Sequence, residues 1–162
     1  STPISRRTSR HGSTMPTSDP DCPFCEIVDR DDPDAREVYR DEHVVAFFPH
    51  NPATPRHTLV IPRLHVPDIW ALDEVTAEQL ARATTRLAAA VKRAVDPDGL
   101  NIIQSNGRVA SQTVFHLHIH LVPRWEGDPV GHIWPPESNY SEEEKDEAWE
   151  ALRAECRKAS NM

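Results

Sequence analysis

Between Gln112 and Val122 the chain reads Gln-Thr-Val-Phe-His-Leu-His-Ile-His-Leu-Val, so that His116, His118 and His120 alternate with Leu117, Ile119 and Leu121. Successive side chains leave a β-strand on opposite faces, and strict two-residue alternation is the mark of a half-buried strand. Phe115, Leu117, Ile119 and Leu121 are therefore expected to enter a core, with three imidazoles on the other side. At a rise of roughly 3.3 Å per residue the rings stand about 6 to 7 Å apart, a span that suits a row of phosphate groups. Imidazole also moves protons near neutral pH. A merely solvated strand has no need of three such rings set against branched aliphatics, and the face reads as a functional one.

The rest of the chain supplies a sheet for that strand. Residues 35–39 and 43–48 read as a hairpin, and 57–62 as a third strand leaving the Pro-containing loop at 52–55. Thr76 with Gln79 forms a capping box opening a helix to about residue 95, with Leu80, Ala83, Thr84, Leu87, Val91 and Ala94 on one face. Asp96-Pro97-Asp98-Gly99 stops that helix, a strand follows at 100–104, and 105–111 is a polar loop. Ser141 and Glu144 repeat the capping pattern before a last helix carrying Trp149, Leu152 and Cys156, the cysteine being read as a packing residue. Hairpins ahead of one central helix imply an α+β fold with a mainly antiparallel sheet.

At 162 residues a single domain is expected over 21–162, including a C-terminal extension. Residues 1–20 are rich in Ser, Thr, Pro and Arg and read as a disordered arm, with Arg6, Arg7 and Arg10 in a solvated tail and Met15 a candidate first residue. A net charge of −8 argues against bulk nucleic acid as a partner, which is held by many phosphate-neutralising cations. No apolar stretch approaches the roughly 20 residues of a membrane span, and no signal-peptide core is present, so a cytoplasmic protein without a membrane partner is expected. Three cysteines do not make a disulfide framework. Taken alone, Cys22-Pro23-Phe24-Cys25 is ambiguous between metal binding and redox exchange.

The run His116-Leu117-His118-Ile119-His120-Leu121-Val122 resembles the His-φ-His-φ-His-φ-φ signature (φ apolar) of the histidine-triad (HIT) nucleotide hydrolases and transferases. Gln112-Thr113-Val114 before it, Pro123-Arg124 and Gly127-Asp128 after it, His57-Thr58-Leu59-Val60-Ile61-Pro62 with His65, and the Cys22/Cys25 pair all resemble the same family, over about residues 20–136. The resemblance implies a HIT-like α+β fold with a sheet of about five strands, a long central helix and a C-terminal helix, paired into a homodimer with a continuous sheet. It implies that His118 is the nucleophile toward the α-phosphorus of a purine nucleotide, with its other N–H fixed by the carbonyl of His116. His120 and Thr113 would stabilise the phosphoryl oxygens, Gln112 would touch the bridging or leaving oxygen, and His57 would adjoin the triad, with Arg56 where relatives commonly have Gly. Ser105 and Asn106 fall in a loop that reaches the phosphates in relatives, and Phe24, Ile27 and Phe47 match the base cleft.

Two further expectations follow from the resemblance. In its zinc-bearing bacterial branch, His65 and His116 join Cys22 and Cys25 as ligands, a closed tetrahedral shell that implies a structural Zn²⁺. Where relatives hold the ribose hydroxyls with Asp or Asn this chain has Pro49, which offers no side-chain donor or acceptor. His50 is the candidate replacement, and discrimination for ribose is expected to be weak. The implied activity is cleavage at the α-phosphate of a nucleoside phosphoramidate, acyl-nucleotide or dinucleoside polyphosphate through a nucleotidyl-histidine. Two alternatives stand beside it: a non-catalytic nucleotide-binding module, suggested by Pro49, and a metal-dependent hydrolase built on the His-x-His strand, which lacks an acidic residue beside the triad.

Overall fold

Two adjacent strands without a polar face set the architecture. β2 (Val44–Phe48) and β3 (Thr58–Pro62) are buried almost throughout, as expected of central strands covered on both sides. A computed structural model of the chain describes residues 18–159, so the expected N-terminal arm up to residue 17, with Arg6, Arg7, Arg10 and Met15, lies outside the described residues. With β1 (Arg36–Arg40), β4 (Gly99–Gln104) and β5 (Ile119–Arg124), the strands form one antiparallel sheet of order β1-β2-β3-β5-β4. The expected α+β class and five-stranded sheet are present.

Alternate residues of the central strands feed two cores. Val45, Phe47, Leu59 and Ile61 pack with Phe24, Cys25 and Ile27 around α1 (Pro23–Val28). Val44, Ala46 and Val60 pack with Leu117, Leu121 and the Leu80/Ala83 face of α2 (Glu74–Val95). This helix starts two residues before the expected capping box: Asp73 is its N-cap, and Thr76 is buried in its first turn. Its far end behaves as the sequence predicts, since Asp96 takes the left-handed conformation (φ 42°) and its N–H closes on the Lys92 carbonyl at 3.0 Å before Pro97. Burial fades along α2, with Leu87 and Val91 half-buried and Ala94 exposed. Leu121, fully buried at the junction of α2 and the sheet, is the residue to test: Leu121→Ala should cost about 2 to 5 kcal/mol, read as a lowered urea midpoint at unchanged slope.

The histidine strand departs from its expected length. β5 begins only at Ile119, so His116 and His118 precede the ladder rather than stand on it. Here the chain is held by the end of β3 and the segment after it: the Leu117 N–H donates to the Val66 carbonyl at 2.6 Å, and the His116 ring donates to the Pro62 carbonyl at 2.8 Å. Leu117 and Leu121 enter the core as expected, Ile119 does so partly, and Phe115 is 48% exposed. Beyond β5, Arg124 binds the Asp128 carboxylate through Nε (2.7 Å) and Nη2 (3.0 Å), while that carboxylate also accepts from the N–H groups of Trp125 and Val130. These bonds hold the Asp128 carboxyl far below the usual carboxylate range.

The chain divides into two compact units, the first ending at Val130 and the second beginning at Gly131. The second contains α3 (Glu142–Ala159), opened by the expected capping box: Ser141 Oγ accepts from the Glu144 N–H at 3.1 Å and donates to Glu144 Oε1 at 3.3 Å. No residue of α3 is buried, so Cys156 is exposed instead of sitting in a core, and Arg153 stacks its guanidinium over Trp149 at 4.8 Å. No described helix is long and apolar enough to cross a membrane.

Candidate active site and metal centre

The irregular approach to β5 carries His116 and His118 ahead of His120, and each of the three rings is fixed by a different partner. His118 is 7% exposed and its Nδ1 lies 2.8 Å from the His116 carbonyl oxygen. A carbonyl only accepts, so Nδ1 carries the hydrogen and Nε2 is left with a free lone pair. Phe24 meets this ring edge-on, with centroids 5.1 Å apart. Burial lowers the pKa of His118, which favours the neutral, nucleophilic form.

His120 and His57 form a second assembly, with His57 Nε2 and His120 Nδ1 2.9 Å apart. The Ala53 N–H donates to His57 Nδ1 at 3.0 Å, so in the neutral ring the hydrogen of His57 sits on Nε2 and is donated to His120. His120 then accepts at Nδ1, and its own hydrogen is on Nε2. The loop before β3 is pinned for this purpose by Thr54, whose hydroxyl donates to the Pro123 carbonyl at 2.7 Å. Arg56 occupies the left-handed region at φ 68°, a conformation glycine adopts without a Cβ penalty, which accords with the Gly that the sequence resemblance implies at this position.

Burial, with repulsion from the neighbouring imidazoles as the lesser cause, pushes His120 down to about 4 and also lowers His57. The consequence for stability has a definite sign. The unfolded ring protonates near its ordinary value of 6.5 and the folded one only near 4, so the stability conferred by the neutral pair is present above about pH 6.5. It is lost as pH falls through that window. Urea midpoints at pH 7 and pH 5 should differ accordingly, and His120→Asn should flatten part of the difference; an unchanged slope in the variant would remove His120 from the account.

His57, His118 and His120 line one cavity of about 260 Å³, together with Phe24, Ile27 and Phe47. The expected base-cleft residues are thus brought to the histidines. Thr113 and His50 line it as well. Gln112 does not: it is 1% exposed, its Oε1 accepts from the Gly107 N–H at 2.8 Å, and its Nε2 donates to the carbonyls of Pro67 (2.7 Å) and Val114 (3.1 Å). Its amide is spent on shaping the loop. Asn106 likewise accepts from the Ile69 N–H at 2.8 Å and exchanges amide hydrogen bonds with Gln104, and neither it nor Ser105 is part of the cavity wall. The sequence reading missed Asp32 and Asn51, which are in that wall. Asp32 sits in an acidic surface run that carries no periodicity signal.

His116 faces away from the cavity into the second cluster. Its Nε2–H donates to the Pro62 carbonyl, which leaves Nδ1 as the ligand atom, 3.5 Å from Cys22 Sγ and 3.6 Å from Cys25 Sγ. His65 Nδ1 lies 3.3 Å from Cys25 Sγ, and all four donor atoms fall within 4.8 Å of one another. A tetrahedral Zn²⁺ with Zn–S of about 2.3 Å and Zn–N of about 2.05 Å requires S···N separations of about 3.6 Å. The geometry therefore fits such an ion. The chemistry agrees: burial pushes the Cys22 thiol up to about 11 and holds His116 down near 4, so a cation is what would convert the buried thiol to thiolate.

Comparison with known proteins places these features among related chains. The family model described as HIT domain matches residues 30–127. The chain is 41% identical over 114 residues to Protein hit of Bacillus subtilis (strain 168), covering 70% of this chain and 78% of that one. It is 31% identical over 118 residues to Adenylylsulfatase HINT3 of Arabidopsis thaliana, covering 73% of this chain and 58% of that protein. Among solved structures, a Zn-bound histidine triad family protein from Mycobacterium smegmatis superposes with a TM-score of 0.64 at 38% identity, over 72% of this chain and 84% of that one.

Proposed function

This chain belongs to the HIT domain family, and on that premise we propose that it is a nucleotidyl hydrolase or transferase acting at the α-phosphate of a purine nucleoside phosphoramidate, acyl-nucleotide or dinucleoside polyphosphate. The observation that carries the reading is the fixed tautomer of His118, a neutral buried ring whose Nδ1–H is bound to the His116 carbonyl and whose Nε2 is free. In the first step Nε2 forms a bond to the α-phosphorus as the bond to the leaving group breaks. The resulting positive ring keeps its Nδ1–H on the His116 carbonyl, which disperses the charge. His120 offers Nε2–H to the departing oxygen or nitrogen, its tautomer set through His57. Water or another acceptor then attacks phosphorus and passes its proton to the His120 nitrogen that served the leaving group, while the P–N bond breaks and its electron pair returns to Nε2, restoring neutral His118.

The relative described as an adenylylsulfatase supports this class of chemistry. Cys22, Cys25, His65 and His116 would hold a structural Zn²⁺, a shell of four protein ligands that leaves no position for water. A homodimer formed across β4 belongs to the same reading, supported by the place of β4 at the end of the sheet and by the exposure of Ile102 on it. A cytoplasmic location agrees with Cys22 and Cys25 being free thiols. The decisive experiment incubates the protein with α-phosphate-labelled adenosine nucleotides, denatures it without acid, and looks for label on histidine. Label retained on His118 with or without chelator supports the covalent route. Binding without label or turnover would point to a non-catalytic module, and turnover abolished by chelator without label to a metal-dependent hydrolase.

A further inference from the structure

The cavity wall around His118 and His120 is mostly apolar, and its described lining includes a single carboxylate, Asp32. This residue lies in the loop joining α1 to β1, in a stretch where Asp29, Asp31 and Asp34 are all exposed. Asp32 differs from them, with a side chain only 19% exposed. It is also held in place: Oδ1 accepts from the Asp34 N–H at 2.9 Å, and Oδ2 lies 3.7 Å from Nε2 of His50, which is itself at the cavity wall and largely exposed. A carboxylate drawn out of water at the wall of a mostly apolar cleft, whose other polar lining is Asn51, Thr113 and the histidines, keeps lone pairs for further donors.

A nucleotide with its α-phosphorus at His118 must lay its nucleoside along this wall. The base finds Phe24, Ile27 and Phe47. The vicinal hydroxyls lose their water on entry and need acceptors, since an unmatched buried hydroxyl is costly. Pro49 has none to give. We propose that Asp32 is the specificity-determining residue for ribose, its two carboxylate oxygens accepting the hydrogens of the 2′- and 3′-hydroxyls, with His50 holding it across the cleft. Two oxygens matched to two adjacent hydroxyls form charge-assisted bonds, which are stronger than neutral ones. The inference rests on the nucleotidyl reading above and reverses the expectation that ribose discrimination is weak.

Calorimetric binding of AMP and of 2′,3′-dideoxy-AMP to the full chain tests it without reliance on turnover. The wild type should prefer AMP by about tenfold or more. Asp32→Asn, which is isosteric and keeps an oxygen for the Asp34 N–H, should weaken AMP binding by about tenfold and leave dideoxy-AMP within about twofold. Equal losses for both ligands, or AMP binding that is unchanged or tighter, would overturn the role of Asp32. The wild-type comparison stands even if the variant folds poorly, and a preference below about threefold overturns the proposal by itself. Failure of AMP to bind the wild type at all would instead remove the nucleotide reading and this inference with it.

Discussion

His118→Ala is expected to lower turnover by about a thousandfold or more while shifting nucleotide affinity by less than about threefold. The asymmetry follows from the geometry. The variant deletes the free Nε2, yet the cleft walls Phe24, Ile27 and Phe47 pack in the α1 core and lose only the Phe24 contact with this ring. Steady-state rates and equilibrium binding, measured on the same preparation, separate the two effects. Turnover within tenfold of the wild type would eliminate covalent catalysis by His118. A complementary variant, His118→Gly supplied with imidazole, should recover part of the rate, because the space left by the ring lies between Phe24 and His120 and can admit a free imidazole.

Much of this site was legible in the sequence because one short run carries it, but the run misled on its own geometry. Alternation from Phe115 to Leu121 predicts a strand with an open imidazole face; instead only His120 is on β5, and His116 and His118 are buried at 0% and 7% exposure. Alternation sorts side chains onto two faces and does not report that both faces are covered, as they are at His116 and His118. It cannot report that the backbone before Ile119 pairs with Val66 through a single bond while the His116 ring takes the Pro62 carbonyl. The same limit explains Gln112 and Asn106, polar residues beside the triad whose amides close loops. Asp32 was hidden for the opposite reason: as one acid among several in a surface run, only the three-dimensional path of the α1–β1 connection distinguishes it.

Zinc analysis provides the second large effect. About one zinc per chain is expected after purification without chelator, and Cys22→Ser or Cys25→Ser should abolish it and lower the melting temperature by about 10 °C or more, as a loss of several kcal/mol does in a domain of this size. Burial pushes the Cys22 thiol up to about 11, so a bound cation is what would hold it as thiolate at neutral pH. The ion would replace the thiol protons and tie α1, through Cys22 and Cys25, to the segment that bears His116 and to the turn after β3 that bears His65. Chemistry should fail later than stability. The His116 ring retains its bond to the Pro62 carbonyl without the metal, so the carbonyl that fixes the His118 tautomer stays near its place until the domain loosens. The cysteine variants should therefore keep a kcat within about tenfold of the wild type at 20 °C and lose it steeply on warming, at a temperature that tracks their own melting transition. Freshly prepared protein without zinc, or variants as heat-stable as the wild type, would rule the structural site out; a kcat lost at 20 °C in a still-folded variant would show that the ion governs the nucleophile directly.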